Sequence, residues 1–207
     1  MKTTRDRILE AALLLFACDG YEATSTGAIA GELGMAKSAL YKHFPDKRAI
    51  FDSLVDGMLE RHRVAGAGQG LALGPAHDAA RAYAHATPAE MADLGEALFS
   101  HWTRDSSAVA FRRMLSIERF RDERAAQVYD ELFVTGQLRH HEAVFSEMME
   151  IGALETGDVE QMALDFWAPI HLLMQATDNG MSMKEATTRI RAHVLSFARR
   201  HARSCDE

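Results

Sequence analysis

The chain has 207 residues, of which 47% are hydrophobic, and it carries a net charge of −7. This length is sufficient for one large domain or two modest ones with a buried core. No apolar run approaches the roughly 18 residues of a membrane-spanning helix, and no signal-peptide pattern is present, which argues against a membrane protein and favours the cytoplasm. Only four prolines and much Ala, Leu, Met and Glu predict an all-α fold.

Charge and cysteines add little more. Residues 1–48 contain seven Lys and Arg against six Asp and Glu, so this part is +1 and the remainder is −8. The asymmetry fits an N-terminal part that faces nucleic acid, although +1 is also ordinary composition. Cys18 lies in an apolar run and Cys205 in the polar tail, so no disulfide is predicted.

The first predicted helix starts at Thr3 or Thr4, where Thr3 and Asp6 have the spacing of a capping box. Its apolar face contains Ile8, Ala12, Leu15 and Phe16. Gly20 is expected to end it.

Residues 24–48, TSTGAIAGELGMAKSALYKHFPDKR, predict two short helices around a turn at Gly34, where a positive φ is needed. We expect Thr26 to cap the first of them, whereas Ala36 cannot cap the second through its side chain. Polar side chains lie off the apolar stripe of the second helix, namely Lys37, Ser38, Tyr41, Lys42 and His43. A helix, a tight turn and a helix can place the second helix in a DNA major groove.

Pro45 should stop this second helix, and Asp46 should cap a further helix that begins at Lys47. Backbone amides at that helix start, together with Lys47, would form a site for an anion such as a phosphate. A solvated surface lysine is the alternative.

Two flanking stretches, Phe16-Ala17-Cys18-Asp19-Gly20-Tyr21 and Tyr41-Lys42-His43-Phe44-Pro45-Asp46-Lys47, resemble the tetracycline-repressor (TetR) family of bacterial transcription regulators. The resemblance covers residues 3–55. It implies a three-helix DNA-binding domain at residues 1–47 and a helical ligand-binding and dimerisation domain at residues 48–207. It also places Lys37, Ser38 and Tyr41 near base edges of a palindromic operator, and Thr26, Lys42, His43 and Lys47 on its phosphates.

Beyond this region the pattern predicts helices separated by loops. Residues 64–75 contain four glycines and one proline and should form a loop or hinge, without the spacing of a nucleotide-binding loop. Helices are expected at residues 77–85, from Thr87-Pro88 to Trp102, from Ser106 or Ser107, and at residues 137–151. Five arginines in the central region should lie on a solvated or ion-paired face: Arg112, Arg113, Arg119, Arg121 and Arg124.

The last two predicted helices begin at Asp158 and near Ser182, and Asn179-Gly180 separates them. The first is apolar nearly all round, and Pro169 should bend it, with or without functional consequence. The resemblance implies that these helices pair with a second subunit in a homodimer. The expected interface contains Met162, Phe166, Ile170, Leu173, Ile190, Val194 and Phe197.

No arrangement of residues indicates an enzyme or a cofactor. Adjacent His140 and His141 point about 100° apart on a helix and are poor joint metal ligands, so no metal site is predicted. The resemblance implies a pocket for an unidentified small organic ligand, with apolar and soft candidate residues: Phe99, Trp102, Met114, Phe120, Trp167, His171 and Met174. Core packing is the alternative for each of them.

The leading hypothesis is a homodimeric repressor that a small molecule releases from its operator. Two alternatives stay open: a DNA-binding protein of the same fold without an effector, and a helical interaction protein. Operator sequence, regulated genes, ligand and the direction of regulation are beyond what the residues indicate.

Overall fold

The computed structural model describes residues 2–69 and 75–201, without the side chains of residues 65–69. All eleven regular elements in these ranges are α-helices, which confirms the all-α prediction. They are α1 Thr4–Asp19, α2 Thr26–Glu32, α3 Lys37–Leu40, α4 Lys47–Gln69, α5 Ala76–Ala84, α6 Pro88–Arg104, α7 Ser106–Glu118, α8 Glu123–Phe133, α9 Thr135–Glu150, α10 Val159–Asp178 and α11 Met183–His201. No helix within these ranges has the length and apolarity to cross a membrane.

The helices form two compact units. The first unit contains the residues up to His62 together with Asp105–Tyr129, and the second contains Arg63–Arg104 and the residues from Asp130 onward. The first unit therefore includes α7 and much of α8, which the predicted division after residue 47 leaves out.

Local signals set the ends of α1 as predicted. Thr3 and Asp6 form the reciprocal capping box, and Gly20 ends the helix with a φ of 83°. This positive φ is costly for a residue with a Cβ atom, which explains the glycine. The inner face of α1 is fully buried at Ile8, Ala12 and Phe16.

The core of the first unit joins α1, the two short helices and α4. The rings of Phe16, Tyr21 and Phe51 contact one another, with centroids 5.2–6.1 Å apart. Leu40 and Phe44 are 0% and 1% exposed, so the apolar stripe of the second short helix faces this core. The polar side of the same helix is thereby turned outward.

The glycine-rich segment differs from its prediction. α4 continues to Gln69, so residues 64–69 are helical instead of forming a loop, while residues 70–74 lie outside the described ranges. Alanine and valine alternate with the glycines here, and an established helix continues through such residues at a modest cost per glycine. The glycine content alone therefore predicted the end of α4 too early in the chain.

In the second unit, α6 packs on α11, α5 on α9, and α10 on both α9 and α11. A Cβ atom added at Gly95 of α6 would lie 3.0 Å from a methyl carbon of Val194 on α11, so the absence of a side chain permits this close approach. Several predicted ends are confirmed: Thr87 and Glu90 form a capping pair, Asp158 caps α10, and Asn179 and Gly180 end it.

The predicted dimer residues need correction. Six of them, Met162, Ile170, Leu173, Ile190, Val194 and Phe197, are at most 8% exposed within a single chain, and Phe166 is partly buried. A side chain already covered by its own chain has no surface left for a second copy. Because α10 is apolar nearly all round, periodicity could not tell its inner stripe from its outer one.

Two further side chains differ from expectation. Arg112 is 1% exposed and therefore does not lie on a solvated face, whereas Arg124 forms the expected ion pairs, with Asp52 and Asp56. Phe120 is 78% exposed and cannot line an enclosed pocket. It lies in the short turn between α7 and α8, where the guanidinium of Arg119 covers its ring at 4.6 Å.

Candidate nucleic-acid interface

A tight turn joins α2 to α3. Gly34 has the predicted positive φ, at 63°, and the Met35 N–H donates to the Ala30 carbonyl at 3.0 Å. A residue with a Cβ atom would be strained at this φ. The turn thereby fixes the point from which α3 starts.

The cap of α2 is Ser25, not Thr26 as predicted. The Ser25 hydroxyl accepts from the Ala28 N–H at 3.0 Å. Adjacent hydroxyl residues satisfy the same capping preference, so the sequence could not choose between them. Thr26 is the first helical residue, only 8% exposed, and its Oγ1 lies 3.2 Å from the Tyr41 hydroxyl oxygen.

We call residues 37–44 the recognition segment. Its first four residues form α3. The amides of Lys42 and His43 then bond three residues back and the Phe44 amide bonds to the Leu40 carbonyl, so hydrogen-bonded turns continue to Pro45. The predicted polar face is exposed: Lys37, Ser38, Lys42 and His43 are all solvent-accessible, and Tyr41 is 44% exposed. Ala36 at the N-cap makes no side-chain hydrogen bond, as predicted.

Lys47 lies at the start of α4, where Asp46 accepts from the Ala49 N–H at 2.7 Å as predicted. The Lys47 amine donates to the Tyr21 carbonyl at 2.7 Å and lies 4.2 Å from the centre of the Tyr21 ring. This lysine therefore holds the start of the α1–α2 connection in the protein itself. Its predicted contact with a phosphate stays a prediction.

Two residues that sequence reasoning did not single out hold the same region. Arg5 of α1 donates to the His43 carbonyl at 3.3 Å and to the Ser53 hydroxyl at 3.0 Å, and Glu118 of α7 accepts from the Tyr21 N–H at 2.8 Å. Glu118 is 1% exposed. A charged residue within an otherwise apolar helix face is the only signal that could have drawn attention to Glu118.

A cleft of about 250 Å³ lies between α1, α4 and the start of α7 in the same unit. Leu13 and Leu54 form part of its floor, and Lys2, Asp6 and Arg61 lie at its polar edge. Lys2 is paired with Glu10 at 2.8 Å, and Asp6 is occupied by the capping box, so much of this edge is already engaged.

Among the candidate pocket residues, the structure brings two tryptophans together in the second unit. The Trp102 and Phe133 rings meet edge to face at 4.7 Å, and the Trp167 indole N–H donates to the Phe133 carbonyl at 2.9 Å. Phe99 and Met174 are buried in the same unit, to which His171 also belongs, whereas Met114 is buried in the first unit.

A histidine lies beside this cluster. His141 stacks on Trp167 with ring centroids 5.6 Å apart, and its Nδ1 lies 2.7 Å from the Gln137 carbonyl oxygen. Burial lowers the pKa of His141 to about 4, so the ring is neutral at pH 7. Across the described side chains no three His, Cys, Asp or Glu residues come together as a metal site would require.

The family model for bacterial regulatory proteins of the tetR family matches residues 8–54. This chain carries a TetR-family DNA-binding domain. The match spans α1 from residue 8 onward, the two short helices and the start of α4, and therefore contains the whole recognition segment.

A curated relative, the nucleoid occlusion factor SlmA of Escherichia coli, is 39% identical over 56 residues. The matched part is 27% of this chain and 28% of SlmA, so the chain spans less than a third of that relative's length.

Solved structures resemble the chain over nearly its full length. A TetR-family transcriptional regulator from Mesorhizobium loti has a TM-score of 0.66 and 21% identity, covering 98% of this chain and 100% of that one. A transcriptional regulator from Saccharomonospora viridis, solved in complex with choline, has a TM-score of 0.63 and 19% identity, covering 97% and 98%. At these identities the likeness concerns the fold.

Proposed function

We propose that the protein is a DNA-binding transcriptional regulator, a homodimeric repressor that a small organic molecule releases from a palindromic operator. The main support is the recognition segment, whose apolar side chains Leu40 and Phe44 are buried while Lys37, Ser38 and Tyr41 face outward. This arrangement presents hydrogen-bond donors on the second helix of a helix-turn-helix, which is the part that enters a major groove.

Each copy would place one recognition segment in a major groove, with the two half-sites about 34 Å apart. Lys37, Ser38 and Tyr41 would read base edges, and Lys42 and His43 would bind phosphates. Thr26 is largely buried, so it would act mainly by holding the Tyr41 hydroxyl, and Lys47 would reach a phosphate only beside its contact with Tyr21.

Selection of genomic DNA fragments on the purified protein, followed by affinity measurements at several salt concentrations, tests this proposal. Lys37→Ala should weaken binding to the selected site by about 10- to 100-fold. Arg81→Ala is the matched control, because it also removes one positive charge, from an exposed position on α5 of the second unit. Equal effects of the two substitutions would show that the assigned face is wrong.

Dimerisation would use the outward stripes of α10 and α11. Leu164 and Leu172 are 46% and 67% exposed, and with Ala168 they follow one side of α10 at intervals of four residues. On α11 the exposed residues at the same spacing are small, namely Thr188, Ala192 and Ser196. Exposed leucines next to small side chains suit close packing of helices from two copies.

Sedimentation analysis of Leu172→Glu tests this surface. We expect a dimeric wild type and a monomeric variant, since a charge would be buried without a partner. Leu14→Glu is the control, because Leu14 is 54% exposed on α1 of the first unit. A monomeric wild type would contradict the proposed homodimer.

The effector would bind beside Trp102 and Trp167, where aromatic rings and one indole hydrogen bond provide an apolar and adaptable surface. These are the only two tryptophans of the chain, so tryptophan fluorescence reports on this region alone. Titration with apolar and cationic organic compounds, choline included, should change the emission and raise the melting temperature for a true effector. A compound that does both should also weaken operator binding, whereas no response to any compound would favour the alternative without an effector.

A further inference from the structure

The last carbonyl groups of the recognition segment have no hydrogen-bond donors within the helix. Helical hydrogen bonding stops at Pro45, which has no N–H to donate, so the last carbonyl groups of the segment need donors from elsewhere. For the His43 carbonyl, that donor is Arg5, whose Nη1 lies 3.3 Å away.

The Arg5 guanidinium makes two further contacts. Its other terminal nitrogen, Nη2, donates to the Ser53 hydroxyl at 3.0 Å, and its central carbon lies 4.3 Å from the centre of the Phe44 ring. One side chain of α1 therefore contacts the last two residues of the recognition segment and the first half of α4.

The chemistry of these contacts requires arginine. A planar guanidinium can lie over a ring and donate in two directions in its own plane, whereas a lysine ammonium has no such plane. Losing the contact would release the His43 carbonyl and one face of Phe44 together, so the outward angle of Tyr41 and Lys42 would be less well fixed.

We propose that Arg5 is a positioning residue for DNA recognition, which fixes the end of the recognition segment without binding DNA itself. This role rests on the proposed DNA-binding function. It assigns Arg5 to specificity, in contrast to Lys42 and His43, whose proposed phosphate contacts contribute to binding of any sequence.

The test compares Arg5→Ala, Arg5→Lys and Ser53→Ala with Arg7→Ala. Arg7 is an exposed arginine two residues along the same helix, so its substitution removes the same charge. Affinity for the selected operator and for an unrelated duplex is measured at several salt concentrations, with helicity and melting temperature recorded for each variant.

We expect both Arg5 variants to lose about tenfold in operator affinity, with less loss on the unrelated duplex and a salt dependence equal to that of the wild type. Ser53→Ala should lose about two- to threefold, since it removes one of the contacts. Arg7→Ala should change operator and unrelated duplex alike and only slightly. In the free protein, hydrogen exchange at the amides of residues 41–44 should be faster in the Arg5 variants than in the wild type.

Three results would overturn the inference. Full rescue by Arg5→Lys, with a salt slope about 0.9 smaller in Arg5→Ala, would make Arg5 a phosphate contact. Identical behaviour of the Arg5 and Arg7 variants would remove any special role. Unchanged hydrogen exchange in the free protein would refute the positioning, whether or not the wild type binds DNA.

A wild type that binds no genomic fragment would instead contradict the proposed function. If Arg5→Ala unfolds at the assay temperature, Arg5→Lys and Ser53→Ala decide the question.

Discussion

Beside the recognition segment in the first unit, charged side chains bind backbone groups, whereas in the second unit a cluster of aromatic rings and close approaches at glycines lie between the helices. The Tyr21 peptide groups are held by Lys47 on the carbonyl side and by Glu118 on the amide side. In the second unit the Phe145, Phe166 and Phe197 rings lie 4.9–5.7 Å from one another.

The two units should therefore respond to different kinds of substitution. A hydrogen bond between a charged side chain and a backbone group is lost when that one polar group is replaced, and the apolar core can remain folded without it. Close packing responds to volume, because an interior at crystal density cannot absorb an added atom. The geometry of the recognition segment is therefore adjustable through single polar groups, while the second unit resists small changes until a clash forces a larger one.

The largest effect is expected at the junction of α8 and α9 in the second unit. A Cβ atom at Gly136 would lie 2.0 Å from the Glu131 carbonyl oxygen, a backbone atom that cannot rotate away. We expect Gly136→Ala to lower the free energy of unfolding by about 3 kcal/mol, measured by urea denaturation.

Gly57→Ala is the matched control for this substitution. Gly57 is exposed within α4 of the first unit, and an added Cβ would meet nothing within 4 Å. It should raise the free energy of unfolding by about 0.5–1 kcal/mol through helix propensity. If Gly136→Ala is as harmless as Gly57→Ala, packing does not limit the second unit as described.

A smaller effect is expected at the buried carboxylate of the first unit. Glu118→Ala leaves the Tyr21 N–H without its acceptor and should cost about 2 kcal/mol in the free energy of unfolding. Glu118→Gln keeps a carbonyl oxygen at this place and should retain much of the stability. Equal losses for both variants would mean that the charge, not the hydrogen bond, is what matters.

The smallest effect concerns acid stability of the second unit. Burial holds the pKa of His141 at about 4, below its ordinary 6.5, so the unfolded chain binds this proton more readily than the folded one. The contribution of neutral His141 is complete above pH 6.5 and is lost as the pH falls toward 4. Between pH 7 and 5 the loss should be on the order of 1 kcal/mol.

His141→Phe should flatten the fall in stability between pH 6.5 and 4, while retaining a ring beside Trp167. His85→Phe, at an exposed position, should leave the pH dependence as in the wild type. Urea denaturation of the three proteins at a series of pH values measures this. A His141→Phe curve parallel to the wild type would remove His141 as the source of acid sensitivity.

Most of the fold of the first unit could be predicted because its boundaries depend on residues close in sequence. Thr3 with Asp6, Gly20, Gly34 and Asp46 each act within a few positions, and each has the predicted geometry. The error at Thr26 arose because the neighbouring Ser25 meets the same local requirement.

The features that the sequence did not predict depend on contacts between residues far apart in the chain. Glu118 lies 97 positions from Tyr21, and no local pattern links them. On α10 the inner stripe of Ile170 and Leu173 and the outer stripe of Leu164 and Leu172 are equally apolar, so only the packed structure distinguishes them. The exposure of Phe120 has the same origin, since residue type alone suggested a pocket.

The contact between Thr26 and Tyr41 bears on the entropy of association. The Tyr41 hydroxyl lies near Thr26 and its ring lies 5.8 Å from the Lys37 amine, and both contacts favour the observed Tyr41 rotamer before any duplex arrives. Ordering a free tyrosine during binding would cost roughly 0.5–1.5 kcal/mol, and these contacts in the folded protein reduce that cost. Thr26→Val, which keeps the shape but removes the hydroxyl, would return this entropy to the free state and make association less favourable without removing any group that faces the groove.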